Sequence, residues 1–247
     1  MKNLWDQKIA SKLEKNPIQL RVYSSKLLGL DSNLVLRGGG NTSVKISETN
    51  IFGEKEDILY VKGSGRDLAT IDAKGFTPLR LIHMKKLLQL ANISDMLLVN
   101  EQQLAMTKPG APPPSVEALL HAIIPFRWID HTHADAVVTL TNTPKGNKLI
   151  QDVYGNRFII IPYVMPGFKL ARKVYEITKK LNWQQYEGMI LLNHGIITFG
   201  NYANESYERM INAVTLAEKF LKKKSTSPKN ILKKNTQVLN HQTLNDL

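Results

Sequence analysis

The chain has 247 residues, 43% of them hydrophobic and 22% charged, with no cysteine and a formal net charge of +12. That is the balance of an ordinary globular chain, long enough for one large domain or two small ones, and no apolar run approaches the ~20 residues a membrane span needs. Without cysteine there is no disulfide framework, and any transition-metal site is left with histidine, carboxylate and water ligands.

The N-terminus, Met1 to Asp6, lacks the charged-then-apolar plan of a secretory signal, so a cytoplasmic location is expected. Leu4, Trp5, Ile9 and Leu13 recur at helical spacing, and Asn16-Pro17 opens a second helix with a cap followed by proline. Gly38-Gly39-Gly40 breaks the pattern, and Thr42–Ile46 and Asp57–Val61 follow as two strands of a hairpin through the Gly53 region. A helix is expected from about Pro78 to Leu90. Pro109 to Pro114 is a stiff loop, after which Ser115 is expected to cap a short helix ending before Pro125. Strands are expected through His131, at Val137-Val138 and over Phe158–Ile161, then a helix over Gly167–Leu181. Met189–Asn193 and Ile196–Phe199 read as strands, and Tyr202–Leu221 as a long helix. Interleaved strands and helices with hairpins predict a single α/β/α three-layer domain around a mixed, largely antiparallel sheet, spanning residues 1–221. Residues 222–247 are expected to form a flexible basic tail. Lys219 to Leu247 holds seven lysines and one acid, half of the net charge, with no aromatic platform for a nucleic acid. The expected partner is therefore a small anionic molecule and neither a nucleic acid nor a membrane.

Three histidines carry the chemistry. His131 and His133 lie two residues apart in Trp128-Ile129-Asp130-His131-Thr132-His133, so on a strand both imidazoles point to one face. His194, in Met189 to Gly195, would bring a third imidazole from a neighbouring strand, giving three ligands and one open position as in catalytic zinc sites. Two glycine-rich turns, Gly38 to Ser43 and Lys62 to Asp67, could direct backbone N–H groups at an anion, with Asn41 adding a side-chain donor. Glu117, just after the proline loop, is a candidate general base. His121, one helical turn further on, is expected in a core or supporting role. His83 and His241 show no partner pattern.

In their joint order, these blocks resemble the class II aldolase/adducin family over roughly Leu20 to Leu221. The resemblance rests on Gly39-Gly40-Asn41-Thr42-Ser43, Val61-Lys62-Gly63-Ser64-Gly65, Pro114-Ser115-Val116-Glu117, His131-Thr132-His133 and Asn193-His194-Gly195. The spelling of the first two looks nearest to the aldolase half of proteins fused to a short-chain dehydrogenase, often assigned to rhamnulose 1-phosphate. No Gly-x-Gly-x-x-Gly motif is present, so no redox activity is implied. The resemblance implies that His131, His133 and His194 hold a divalent metal, usually Zn2+, with Glu117 as acid/base beside it. It implies that Asn41, Gly63, Ser64 and Ser115 cradle the substrate phosphate. It further implies a homotetramer in which a neighbouring subunit lends a tyrosine as proton donor, for which Tyr154 is the candidate. Simpler family members often have two serines before the glutamate, whereas here Val116 intervenes and donates no side-chain hydrogen bond.

The implied reaction is reversible aldol cleavage of a ketose 1-phosphate. Its rivals are epimerisation or dehydration of a sugar phosphate with the same metal set, and a non-catalytic interaction module such as adducin.

Overall fold

A computed structural model of the protein describes residues 1–225. Helices α1 (Gln7–Leu13) and α2 (Pro17–Gly29) open the chain. The Asn16 side chain caps α2 by accepting from the Gln19 N–H, with Pro17 in the first turn, where a missing N–H costs nothing. Next come β1 (Asn41–Thr49), β2 (Lys55–Lys62), β3 (Phe76–Arg80), α3 (Leu81–Leu87), α4 (Asp95–Leu104) and α5 (Ala118–Ile123). Then follow β4 (Trp128–Thr132), α6 (Asp135–Thr141), α7 (Gly146–Tyr154), β5 (Phe158–Ile161) and α8 (Phe168–Thr178). The described chain ends with β6 (Gly188–Leu191), β7 (Gly195–Gly200) and α9 (Ala203–Ser225).

The strands form one seven-stranded sheet in the order β3-β2-β1-β4-β7-β6-β5. Every neighbouring pair is antiparallel except β5 with β6, which is the mixed, largely antiparallel sheet expected. Both faces are covered. Side chains alternate across a strand, so Met189 and Leu191 enter one core while Ile190 enters the other. The first core adds Met84 of α3, Leu98 of α4, Leu119 of α5 and Val174 of α8. The second adds Leu28 of α2, Val137 of α6, Ile150 of α7 and Met210 of α9. Helices therefore sandwich the sheet, as a three-layer arrangement requires.

At one end of the sheet, β3 pairs with β2 and its outer edge is met by residues 105–107. The Arg80 N–H donates to the Ala105 carbonyl at 2.9 Å, and the Thr107 N–H to the Pro78 carbonyl at 3.0 Å. At the other end, β5 is only four residues long.

Several expected elements fall elsewhere. Pro78 lies inside β3 and opens no helix; an end strand tolerates a residue without an N–H. Helix α3 begins only at Leu81. Val137-Val138 lies in α6, where Val137 and Leu140, three residues apart, share one buried face. Tertiary burial there outweighs the strand preference of β-branched residues. Ser115 does not cap α5; Glu117 occupies that position and the helix starts at Ala118. Helices α4 and α7 were absent from the expected order. The boundary expected after residue 221 falls within α9, which continues to Ser225, and residues 226–247, with His241, lie outside the described residues.

Candidate active site

Strand β4 lies between β1 and β7, so His131 has Asn41 of β1 directly across from it on one side and Ile197 of β7 on the other. His131 is fully buried, and its Nδ1–H donates to the Ile196 carbonyl at 3.0 Å. That bond leaves Nε2 unprotonated and available as a ligand atom. His133 lies just past the end of β4, and its Nε2 comes within 3.1 Å of His131 Nε2.

His194 is presented by the turn joining β6 to β7. Its N–H donates to the Leu191 carbonyl at 3.1 Å, and Asn193 takes a positive φ of 58°, a conformation asparagine tolerates better than most residues. The Asn193 side chain ties this turn to the end of α6 through Asn142 Oδ1 at 2.9 Å. Neither His133 nor His194 is therefore inside a strand, yet the three rings converge. Their centroids are 4.9 to 5.2 Å apart, and one ligand nitrogen from each lies within 4.8 Å of the others. Gly195 makes this approach possible. A Cβ there would meet the Thr132 carbonyl and lie 3.1 Å from both the His131 and His133 rings.

Glu117 faces the cluster, with Oε2 3.4 Å from His131 Nε2 and Oε1 3.2 Å from His194 Nε2. Asn41 Nδ2 donates to Glu117 Oε2 at 2.6 Å and to Ser115 Oγ at 3.2 Å. Glu117 Oε1 and His194 Nδ1 are buried with no hydrogen-bond partner in the protein. Burial disfavours the Glu117 carboxylate, but His131, His194, the Asn41 hydrogen bond and His121 together outweigh it and hold the group down at about 2. Burial pushes His121 down to about 3 and His131 to about 4, and it lowers His133 as well. At neutral pH His131 and His121 are thus uncharged. The Asn41 hydrogen bond remains at neutral pH, and the carboxylate is ionised.

The two glycine-rich turns adjoin the cluster, and three of their N–H groups are turned to backbone carbonyls. The Gly39 N–H donates to the Leu36 carbonyl, that of Gly63 to Gly75, and that of Ser64 to Pro113, each at 2.8 Å. These amides are already spent on backbone carbonyls. A Cβ on Gly63 would lie 2.7 Å from Pro112, so the glycine lets the proline loop press against the turn. Ser64 is exposed and Ser115 is buried. Lys62, which sequence reasoning left out, ties both turns together: its Nζ donates to the Gly38 carbonyl at 2.9 Å and the Arg66 carbonyl at 2.5 Å.

Asn41, Ser115, Glu117, His131, His133 and His194 are thus brought together. Tyr154 is not. It lies in α7 at 2% exposure, donates its hydroxyl to the Ala213 carbonyl at 3.0 Å and packs on Phe158. Burial also raises its pKa. The candidate proton donor is a core residue.

The family model of the Class II Aldolase and Adducin N-terminal domain matches residues 19–221. YuxG of Bacillus subtilis (strain 168), an uncharacterized oxidoreductase, is 36% identical over 221 residues, which is 90% of this chain and 32% of that protein. The chain thus spans about a third of that relative. Among solved structures, the N-terminal class II aldolase domain of a conserved protein from Thermoplasma acidophilum is 39% identical. It superposes with a TM-score of 0.81 over 90% of this chain and 99% of that one. A sugar-phosphate aldolase from Thermotoga maritima, at 16% identity and a TM-score of 0.63 over 87% and 98% of the two chains, shares the fold.

Proposed function

This chain belongs to the class II aldolase and adducin family, and from that premise we propose that it is a metal-dependent aldehyde-lyase acting on a ketose 1-phosphate. The reading assigns reversible cleavage to dihydroxyacetone phosphate and an aldehyde, with a rhamnulose 1-phosphate-like ketose as substrate. The observation that carries it is an ionised, buried Glu117 set against three converging imidazoles. Among the described residues, the donor set suits Zn2+ or another divalent cation. The His131 tautomer is fixed by the Ile196 carbonyl, and a carboxylate oxygen beside the cluster has no other partner.

His131, His133 and His194 would hold the cation. When bound, it supplies Lewis acidity to the ketose carbonyl and its neighbouring hydroxyl. In the condensation direction, Glu117 takes a proton from the carbon next to the ketone carbonyl. The electron pair left on that carbon forms the new bond to the aldehyde carbon, and the aldehyde oxygen takes up a proton. That last proton comes from a group on a neighbouring subunit of a homotetramer, since Tyr154 is spent on Ala213. The phosphate is held beside Ser64, Gly63, Ser115 and Asn41, with the Ser64 and Ser115 hydroxyls as donors because the Gly63 and Ser64 amides are occupied. The same reading places the protein in the cytoplasm, with one catalytic domain that runs through α9.

The test is to load the full chain with zinc and supply a panel of ketose 1-phosphates, reading released triose phosphate. Glu117→Gln is expected to lower kcat by about 10²- to 10⁴-fold while zinc per chain stays at the wild-type level. Full activity in that variant would remove Glu117 as the base. An epimer or a dehydrated ketone as product would instead assign the sister reactions that use the same residues.

A further inference from the structure

Behind Glu117 a chain of buried polar groups leads back into the sheet. Asn41 offers its Oδ1 to His121 Nε2 in a short contact, and the other imidazole nitrogen, Nδ1, lies 2.7 Å from Ser43 Oγ. Ser43 and His121 are 0% exposed and Asn41 4%. Ser43 is rigidly placed: it pairs with Val61 of β2 and Ile129 of β4, and its carbonyl accepts from the Arg21 guanidinium at 3.3 Å. Arg21 is in turn locked to Asp130 at 2.5 Å, with both side chains fully buried.

The hydrogen-bond inventory allows one assignment of protons along this chain. An ionised carboxylate only accepts, so Asn41 must turn its amide nitrogen toward Glu117 Oε2. Its carbonyl oxygen then faces His121, which requires the proton on His121 Nε2. His121 Nδ1 is left as an acceptor, and Ser43 Oγ–H donates to it. Reversing the Asn41 amide would set its oxygen against the carboxylate and its NH2 against an N–H donor. The carboxylate link therefore opposes the flip, and the His121 tautomer follows from it.

We propose that His121, resting on Ser43, is a positioning residue. It fixes the Asn41 amide so that Glu117 Oε2 is anchored and Oε1 is left as the oxygen that handles the proton. This rests on the aldolase reading for its kinetic consequence but not for its proton assignment. The asymmetry between the two oxygens is visible: Oε2 accepts from Asn41 at 2.6 Å, while Oε1 accepts no hydrogen bond from the protein and faces the histidine cluster 3.2 Å from His194 Nε2. A neutral His121 is also what its burial favours.

Two measurements on the zinc-loaded chain test this. In the first, ¹⁵N NMR of the histidine side chains is expected to show His121 at neutral pH with its proton on Nε2 and none on Nδ1. The opposite tautomer or an imidazolium overturns the proposal, whatever reaction the enzyme runs. In the second, His121→Phe is expected to lower kcat by about 10- to 100-fold, with KM within about threefold and zinc content unchanged. His121→Gln, whose amide N–H can still reach Asn41 Oδ1, should recover kcat to within about fivefold of wild type. Equal losses in the two variants, or a loss matched by missing zinc, overturn the positioning role. If His121→Phe does not fold, His121→Gln and the tautomer decide the matter. Should the wild type turn over no ketose 1-phosphate, the reaction assignment fails while the tautomer result stands by itself.

Discussion

A hydroxyl or imidazole contributes according to what it touches, and Tyr154 and His121 differ sharply in this respect. Tyr154 spends its hydroxyl on the Ala213 carbonyl inside the second core. Tyr154→Phe is therefore expected to leave turnover unchanged and to cost about 1 kcal/mol of stability, read from the denaturant midpoint. A large fall in kcat at unchanged stability would return Tyr154 to the chemistry. His121 stays neutral in the folded protein down to about pH 3, chiefly through burial, whereas in the unfolded chain it takes a proton near its ordinary 6.5. The stability it contributes is thus fully present above pH 6.5 and is lost as pH falls toward 3. Its slope approaches about 1.4 kcal/mol per pH unit. Unfolding midpoints measured between pH 7 and 4 should fall in the wild type and fall less steeply in His121→Gln. Equal slopes would show that His121 does not govern acid unfolding.

At the scale of elements, the site depends on where strands stop. His131 belongs to β4, but His133 and His194 are delivered by the chain just beyond a strand and by a turn. Gly195→Ala tests that arrangement, since a methyl would push on the Thr132 carbonyl and on two imidazoles at once. Zinc affinity is expected to fall by about 10- to 100-fold with the helices intact by circular dichroism. Unaltered affinity would mean that the rings have slack. The His-x-His spacing, Asn16-Pro17, the β1–β2 hairpin and the apolar runs of β5 to β7 were legible in the sequence, because each is a local pattern. Pro78 was not: whether a proline starts a helix or sits in an end strand depends on which strand lies beside it. Val137-Val138 went the same way, since its helix is decided by what Val137 and Leu140 pack against. Nor did the sequence disclose that the Gly63 and Ser64 amides are taken, because their acceptors, Gly75 and Pro113, come from other loops. The Glu117–His121 interval was visible, but its link to Asn41 and Ser43 spans about eighty residues.

On the scale of the whole molecule, the proposed proton donor from a neighbour makes the oligomer part of the chemistry. Light scattering is expected to read about four times the 27.9 kDa chain mass. A monomer with full aldolase activity would place the donor within the chain itself. Apolar side chains are exposed at the β1–β2 tip, at Ile51 and Phe52, and on α4, at Met96 and Val99, where copies could meet. How they meet is constrained by the two ends of the sheet. Pro78 has no N–H to offer, residues 105–107 already occupy part of the β3 edge, and β5 presents only a four-residue strand. Neither border is a good template for another strand. Copies of this molecule should therefore join through helices and loops, and the same blunted borders protect a protein stored at high concentration from growing into fibres.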